Sequence, residues 1–78
     1  MPIFYFNLRG EGLDQPDLTG RDLPDEAAAR AEAERLAEEL IETARAAGLP
    51  PPAATIEVDD EELRPILALP LNERKELT

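Results

Sequence analysis

Carboxylates are the side chains with which this sequence would have to do any chemistry. Its 78 residues hold 18 Asp and Glu but no His, Cys or Ser, and Lys75 is its one lysine. The common nucleophiles, the side chain that titrates near neutral pH and the nitrogen and sulfur ligands of zinc are therefore missing. Without those side chains, carboxylates can still act as general acids and bases or bind a hard divalent cation.

The acidic residues fall into two groups whose spacing favours turns and helix caps over a metal site. The first group is Asp14, Asp17, Asp22 and Asp25, and the second is Asp59, Asp60, Glu61 and Glu62. The first fits no calcium-loop pattern, and consecutive acids in the second point in different directions. We expect Asp17 to open a type I turn that ends at Gly20. We predict neither a catalytic residue nor a metal or other cofactor, with a carboxylate-only cation site as the alternative.

All three aromatic residues stand side by side, as Phe4, Tyr5 and Phe6. Aromatic residues on a small sheet are typical of platforms that stack nucleic-acid bases, but such platforms carry basic residues around them. Only Arg9 and Arg64 are available here, and a net charge of −10 repels phosphate backbones and acidic membrane surfaces. We therefore expect neither nucleic acid nor a membrane as a partner.

The hydrophobic pattern predicts one α+β domain. Ala, Glu, Leu and Arg dominate a long helix capped by Asp25, with Asp22 as a competing start, and Gly48 follows its end. Alternation predicts the strands. The elements are a helix over 26–47 and strands over 3–8, 13–16, 54–58 and 66–71. This order predicts a two-layer sandwich, a small mostly antiparallel four-stranded sheet (ββαββ) with one long helix on one face. The domain spans 1–71, and 72–78 is a frayed tail.

Alternation also predicts which strand residues face the helix. The predicted core from the strands is Phe4, Phe6, Leu8, Leu13, Ile56, Val58, Leu67 and Leu69. The helix stripe facing it is rich in alanine, with Ala29, Ala33, Leu36, Ala37 and Leu40 at three- and four-residue spacing. The aromatic residues at positions 4 and 6 are thus expected in the core, not in a binding surface.

The other face of the sheet keeps several residues that are not charged. The candidate interface on this face is Ile3, Tyr5, Asn7, Ile66 and Ala68. A helix of this length, about 33 Å, also overhangs strands of about 20 Å, so Leu40 and Ile41 join the candidate interface. An apolar patch on a charged protein favours association, and we predict a homo-oligomer, a dimer, over a monomer that exposes a few apolar residues.

The compartment is predicted from what the composition lacks. There is no cysteine for disulfides, no charged and apolar signal segment at the start, and the longest apolar run, 65–71, is too short to span a bilayer. These features predict a cytoplasmic protein.

Four stretches carry a resemblance. They are Met1-Pro2 before a strand ending in Leu8-Arg9, Asp17-x-x-Gly20, Leu23-Pro24-Asp25 before an Ala/Glu/Arg helix, and Arg64-Pro65-Ile66-Leu67. Above all through FYFNLR with GRDLPDEAAAR, the chain resembles a family of short bacterial proteins catalogued only as a domain of unknown function. The resemblance covers nearly the whole chain and implies a strand-strand-helix-strand-strand domain without an assigned activity. The chain departs from it at Glu62-Leu63, where such proteins often have glycine, and at the triple proline 50–52.

Taken together, these features predict a non-enzymatic interaction module that homo-oligomerises. The alternative is an antitoxin-like regulator whose acidic helix binds a basic, as yet unidentified protein partner. A carboxylate-only metal binder and a nucleic-acid binder stand behind both.

Overall fold

The computed structural model describes residues 2–10 and 12–71, with the backbone alone at position 13. One helix packs on one face of an antiparallel sheet, so the predicted α+β class is confirmed. The predicted tail, 72–78, lies outside the described residues. The strands are β1 (Ile3–Gly10), β2 (Leu13–Gln15), β3 (Arg21–Asp22), β4 (Ala54–Asp59) and β5 (Pro65–Pro70), and the helix is α1 (Glu26–Ala46).

The sheet has five strands in the described part of the chain, one more than predicted. Its order is β2-β1-β4-β5, and β3 pairs with the other end of the long strand β1 through Ile3↔Asp22 and Phe4↔Arg21. The backbone N–H of Leu23 continues this pairing by donating to the carbonyl of Pro2 at 3.0 Å. The pattern missed β3 because two charged residues show no alternation, and the strand exists only through its register with β1.

Both ends of α1 are capped as the sequence predicts. The side chain of Asp25 accepts the N–H of Ala28 at 2.9 Å, which makes Asp25 the N-cap and excludes the competing start at Asp22. At the other end Gly48 adopts φ +76°, and Leu49 N–H donates to the carbonyl of Ala44 at 2.8 Å. This closure is typical of a helix that ends on a left-handed glycine.

Alanines bring α1 close to the sheet. Ala29, Ala33 and Ala37 are completely buried, and they face Phe4, Ile56 and Val58 from the strands. Phe6, Leu8, Leu67 and Leu69 pack against this cluster while partly exposed, so the predicted core residues with described side chains lie on the helix side. The prediction for Leu13 concerns a side chain outside the described part.

The single helix does not cover the whole sheet. It packs mainly against β4 and β5, which leaves the helix side of β1 partly bare. The geometry explains this, because a helix about 10 Å across spans only about two strands that lie about 4.8 Å apart. Phe6 and Leu8 on β1 are half-buried for this reason.

A β-bulge corrects one predicted orientation. Val58 pairs with Leu67 and Asp59 with Pro65, so Ile66 is an extra residue in β5. A bulge re-aims side chains, and here Ile66 packs against the core and lies with Leu67 beside Arg30 of α1. The alternation had placed Ile66 on the opposite face, which is wrong because a bulge cannot be read from an alternating pattern.

The close contact of α1 with the sheet gives a first prediction. Ala33→Leu should lower the free energy of unfolding by about 1–3 kcal/mol, because three added carbons overpack a completely buried site between α1 and the sheet. Ala31→Leu is the matched control, since Ala31 is exposed on the same helix and leucine is nearly as good a helix former. Urea unfolding followed by circular dichroism measures both, and equal stabilities would contradict the close approach.

The turn before β5 gives a second prediction. Leu63 adopts φ +63° although leucine pays a steric cost there. Leu63→Gly should therefore raise the free energy of unfolding by about 0.5–1 kcal/mol, the relief being reduced by the greater freedom of glycine in the unfolded chain. Leu49→Gly, at an exposed leucine without positive φ, should instead lower it in the same urea titration. A loss of stability in Leu63→Gly would argue against the left-handed turn.

Candidate functional site

The residues predicted as an interface on the far face of the sheet are partly covered by the chain itself. Gly20 lies directly on Ile3 and Tyr5, since a Cβ at Gly20 would come within 2.5 Å of Ile3 Cγ2 and 3.0 Å of Tyr5 Cε1. Both side chains are half-buried, whereas Ala68 is exposed. The far face is therefore a smaller apolar surface than the sequence suggests.

Asn7 is buried, with 5% of its surface exposed, and is thus unavailable for an interface. Its amide nitrogen donates to the carbonyl of Glu57 at 3.2 Å and to Asp59 Oδ2 at 3.1 Å. Its oxygen accepts the backbone N–H of Asp17 at 2.8 Å. Asn7 therefore joins β4 to the loop over residues 16–20, a structural role that alternation on one strand does not reveal.

Asp17 fixes the same loop to the edge of β1. One carboxylate oxygen accepts the N–H of Phe6 at 3.0 Å, in the gap between the short strands β2 and β3. The other accepts the N–H groups of Thr19 and Gly20 at 3.0 and 3.1 Å, as the predicted turn requires. Burial raises the pKa of Asp17, but the three backbone hydrogen bonds and nearby Arg21 outweigh it and lower the pKa overall.

The two helix residues of the predicted interface have different surroundings. Leu40 packs against the core cluster. Ile41 is half-buried and comes three turns after Arg30, so it shares the flank of α1 that faces β5. Leu36 lies on the opposite flank, toward β1.

A groove lies on the helix side of the sheet where α1 leaves β1 bare. Its volume is about 420 Å³. Phe6 and Leu8 form the floor, Leu36 forms the wall on α1, and the loop over residues 15–21 forms the rim. All three apolar side chains are half-buried. This groove, defined by Phe6, Leu8, Leu36 and the 15–21 loop, leaves apolar side chains uncovered on the helix side of the sheet.

The charges beside the groove are balanced. On the same helix flank as Leu36, Arg35 contacts Glu32 and Glu39, each at 2.7 Å. Arg21 also pairs with Glu32 and lies over the ring of Phe6, 5.9 Å from its centroid. The hydrogen bond from Arg35 is the largest cause that lowers the pKa of Glu32, against a smaller effect of burial. Two cations and two anions therefore neutralise each other at this edge of the groove.

Leu18 stands at the tip of the loop that forms the rim. It is 88% exposed, the most exposed large apolar side chain in the described part. Its neighbours Pro16, Asp17, Thr19 and Gly20 line the groove, whereas Leu18 is not among the lining residues.

Among the acidic residues weighed as cation sites, Asp17, Asp25 and Asp60 act as turn and cap residues, whereas Asp14, Asp22 and Asp59 lie in strands. Asp60 accepts the N–H groups of Arg64 and Glu62, both at 2.9 Å, and the first of these is the largest cause of its lowered pKa. Among residues 2–10 and 12–71, no set of three or more acidic side chains is arranged so that it could hold a metal ion. Over the same residues, no helix has the length and apolar character needed to cross a membrane.

The sequence did not predict the groove. It placed Leu36 in the core stripe and not in the wall of a groove, and it did not mark Leu18 as a candidate interface residue. A signal for Leu18 was present, because an apolar residue in the second position of the Asp-x-x-Gly turn has no core to enter. No signal marked the groove, since Phe6 and Leu36 have the spacing of ordinary core residues.

One comparison with known proteins gave a match. A family model described as Domain of unknown function (DUF6894) matches residues 3–72, which is most of the chain. Neither the curated proteins nor the solved structures contain a significant match.

The hydrogen bonds that hold Asp17 to β1 can be tested by the pH dependence of the stability. Asp17→Asn should lower the free energy of unfolding by about 1 kcal/mol at pH 7. An amide has one acceptor oxygen, whereas the carboxylate of Asp17 accepts hydrogen bonds with both oxygens, one from Phe6 and the other from Thr19 and Gly20. The folded pKa lies below the ordinary value of 3.8, so the carboxylate stabilises the fold above that value and loses its effect as the pH falls through the folded pKa.

The difference between wild type and Asp17→Asn should accordingly shrink between pH 7 and pH 3 in urea titrations. Asp14→Asn is the matched control, since that carboxylate is 72% exposed and its nearest cation, Arg9, is 3.5 Å away. It should change stability by only a few tenths of a kcal/mol. An Asp17→Asn effect that does not depend on pH would contradict the role given to the charge.

Proposed function

The chain belongs to the family described as Domain of unknown function (DUF6894), and because that description names no activity, we propose the function from the chain's own surface. It is a non-enzymatic interaction module that associates with a second copy of itself. The interface is the groove defined by Phe6, Leu8, Leu36 and the 15–21 loop. This proposal keeps the predicted homodimer but moves its interface from the far face to the helix side of the sheet.

The observation that supports the proposal is the half-covered strand β1. Three large apolar side chains, Phe6, Leu8 and Leu36, converge on one open groove instead of being scattered. Exposed apolar residues that are contiguous and rimmed by polar groups are typical of protein interfaces.

The charge distribution favours a second copy as the partner. With a net charge of −10, two chains repel each other over most orientations. Beside the groove, however, Arg21 and Arg35 neutralise Glu32 and Glu39. Two copies can therefore meet at this surface with little like-charge repulsion, and a two-fold axis would place the same surface on both sides.

The composition and the family resemblance favour one cellular compartment and one kind of organism. We propose that the dimer works in the cytoplasm of a bacterium, because the family it resembles consists of bacterial proteins and a chain without cysteine takes no disulfides from an oxidising compartment.

A second candidate function is the antitoxin-like binding of a basic protein. Its support is a depression of about 350 Å³ at the N-terminal end of α1, whose lining is mostly acidic. It is lined by Asp25, Glu26, Asp60, Glu61 and Glu62, together with Arg64, Pro2 and Phe4. The two functions differ in salt dependence. Binding to a basic partner weakens as salt screens the charges, whereas self-association of an acidic chain strengthens.

The proposed dimer predicts a mutant phenotype. Wild type should give the mass of a dimer in size-exclusion chromatography with light scattering, with a dimer fraction that rises between low and high salt. Leu36→Gln should move the mass toward that of the monomer, because it places an amide in the apolar wall of the groove. Circular dichroism checks that the variant remains folded.

Ile41→Gln is the matched control, with the same chemical change on the other flank of α1 at an equally half-buried residue. It should leave the dimer unchanged. If Ile41→Gln alone dissociates the dimer, the interface lies on the β5 side, and a monomeric wild type at all salt concentrations would refute self-association.

A further inference from the structure

Leu18 is an exposed side chain on a loop whose backbone is fixed by hydrogen bonds. Large apolar side chains in turns cost little when exposed singly, but 88% exposure leaves Leu18 with almost no contact in its own chain. The backbone that presents it is nevertheless held, because Asp17 accepts the N–H groups of Thr19 and Gly20 on one oxygen and that of Phe6 on the other.

The turn around Leu18 also has little freedom to move away from β1. Gly20 has φ +80° and lies against Ile3 and Tyr5, where any Cβ would clash. The N–H of Asp17 is bound by buried Asn7. The backbone of the loop has therefore already lost much of the freedom that it would otherwise give up on binding.

We propose that Leu18 of each copy inserts into the groove of the other copy. The inference rests on the proposed self-association and names its central contact. An apolar knob and an apolar groove lie next to each other on one surface, since the residues flanking Leu18 on both sides form the rim of the groove. A two-fold axis between them brings the knob of each chain to the groove of its partner, the arrangement required of a symmetric interface.

The observations favour this occupant over a foreign segment. A leucine that enters the groove would bury its apolar surface against Phe6, Leu8 and Leu36, and that burial favours association. The same contact occurs twice in a symmetric pair. Beside the groove, Arg21 and Arg35 offset the charges of Glu32 and Glu39, and the rim adds the carboxylate of Asp17.

The first test is Leu18→Ala, measured as the dimer dissociation constant by analytical ultracentrifugation. The constant should rise about 100-fold, about tenfold for each of the two equivalent contacts. Leu49→Ala is the matched control, because Leu49 is also an exposed leucine, 61%, but lies after α1 and away from the groove. It should leave the constant unchanged.

Mixing two variants gives a second test that a general loss of stability would not pass. Leu18→Ala keeps the groove but lacks the knob, and Leu36→Gln keeps the knob but has a damaged groove. A mixed pair retains one intact contact, whereas either variant alone retains none. The mixture should therefore form more dimer than each variant by itself at the same total concentration, by about tenfold in the dissociation constant.

The outcomes separate this inference from the proposed function. A wild-type dimer that Leu18→Ala leaves intact would overturn the Leu18 contact while self-association stands. A mixture that associates no better than its components would overturn the reciprocal insertion. A wild type that is monomeric throughout would overturn both, and capture of a basic protein at the acidic end would then favour the second candidate function.

Discussion

The carboxylate of Asp17 forms the hydrogen bond to the middle of β1 that the short strands β2 and β3 do not reach. β2 and β3 together pair with only the two ends of β1, and the N–H of Phe6 lies in the gap between them. Asp17 accepts that N–H and two more from its own turn, so one side chain replaces the missing strand. Because the loop is fixed there, it covers Ile3 and Tyr5 on the far face and helps to bury Asn7. The same loop forms the rim of the groove and carries the exposed Leu18.

A second constraint is the width of one helix. In a chain of 78 residues a single helix must serve as the entire second layer, and it covers about two strands. The alanine stripe places it against β4 and β5, where close approach gives the best packing. The bare strip along β1 is thus a consequence of chain length and not an irregularity. Small domains often supplement a limited core by association, which is consistent with the proposed dimer.

Local signals predicted the parts of the fold that depend on local chemistry. Asp25 and Gly48 bound the helix, Asp17 begins its turn, and alternation places Phe4, Ile56 and Val58 in the core. The parts that failed depend on pairing between distant segments. β3 exists through its register with β1, and Ile66 turns to the helix side because β5 has one residue more than β4 at the bulge.

The site was harder to predict than the fold for the same reason. Asn7 has the alternation of a far-face surface residue, yet hydrogen bonds to Asp17, Glu57 and Asp59 bury it, and those partners come from two other segments. Phe6 and Leu36 have core spacing, yet the position of α1 leaves them half-bare.

The net charge limits where two copies of this chain could meet. At a net charge of −10, long-range repulsion opposes contact between copies of the chain in most orientations. In the proposed dimer, association occurs where this repulsion is weakest, beside the ion pairs of Arg21 and Arg35 with Glu32 and Glu39. The acidic composition would then suppress wrong contacts, and the ion pairs beside the groove would leave one orientation open. Specificity in so small a protein would then come less from many contacts than from where repulsion is absent.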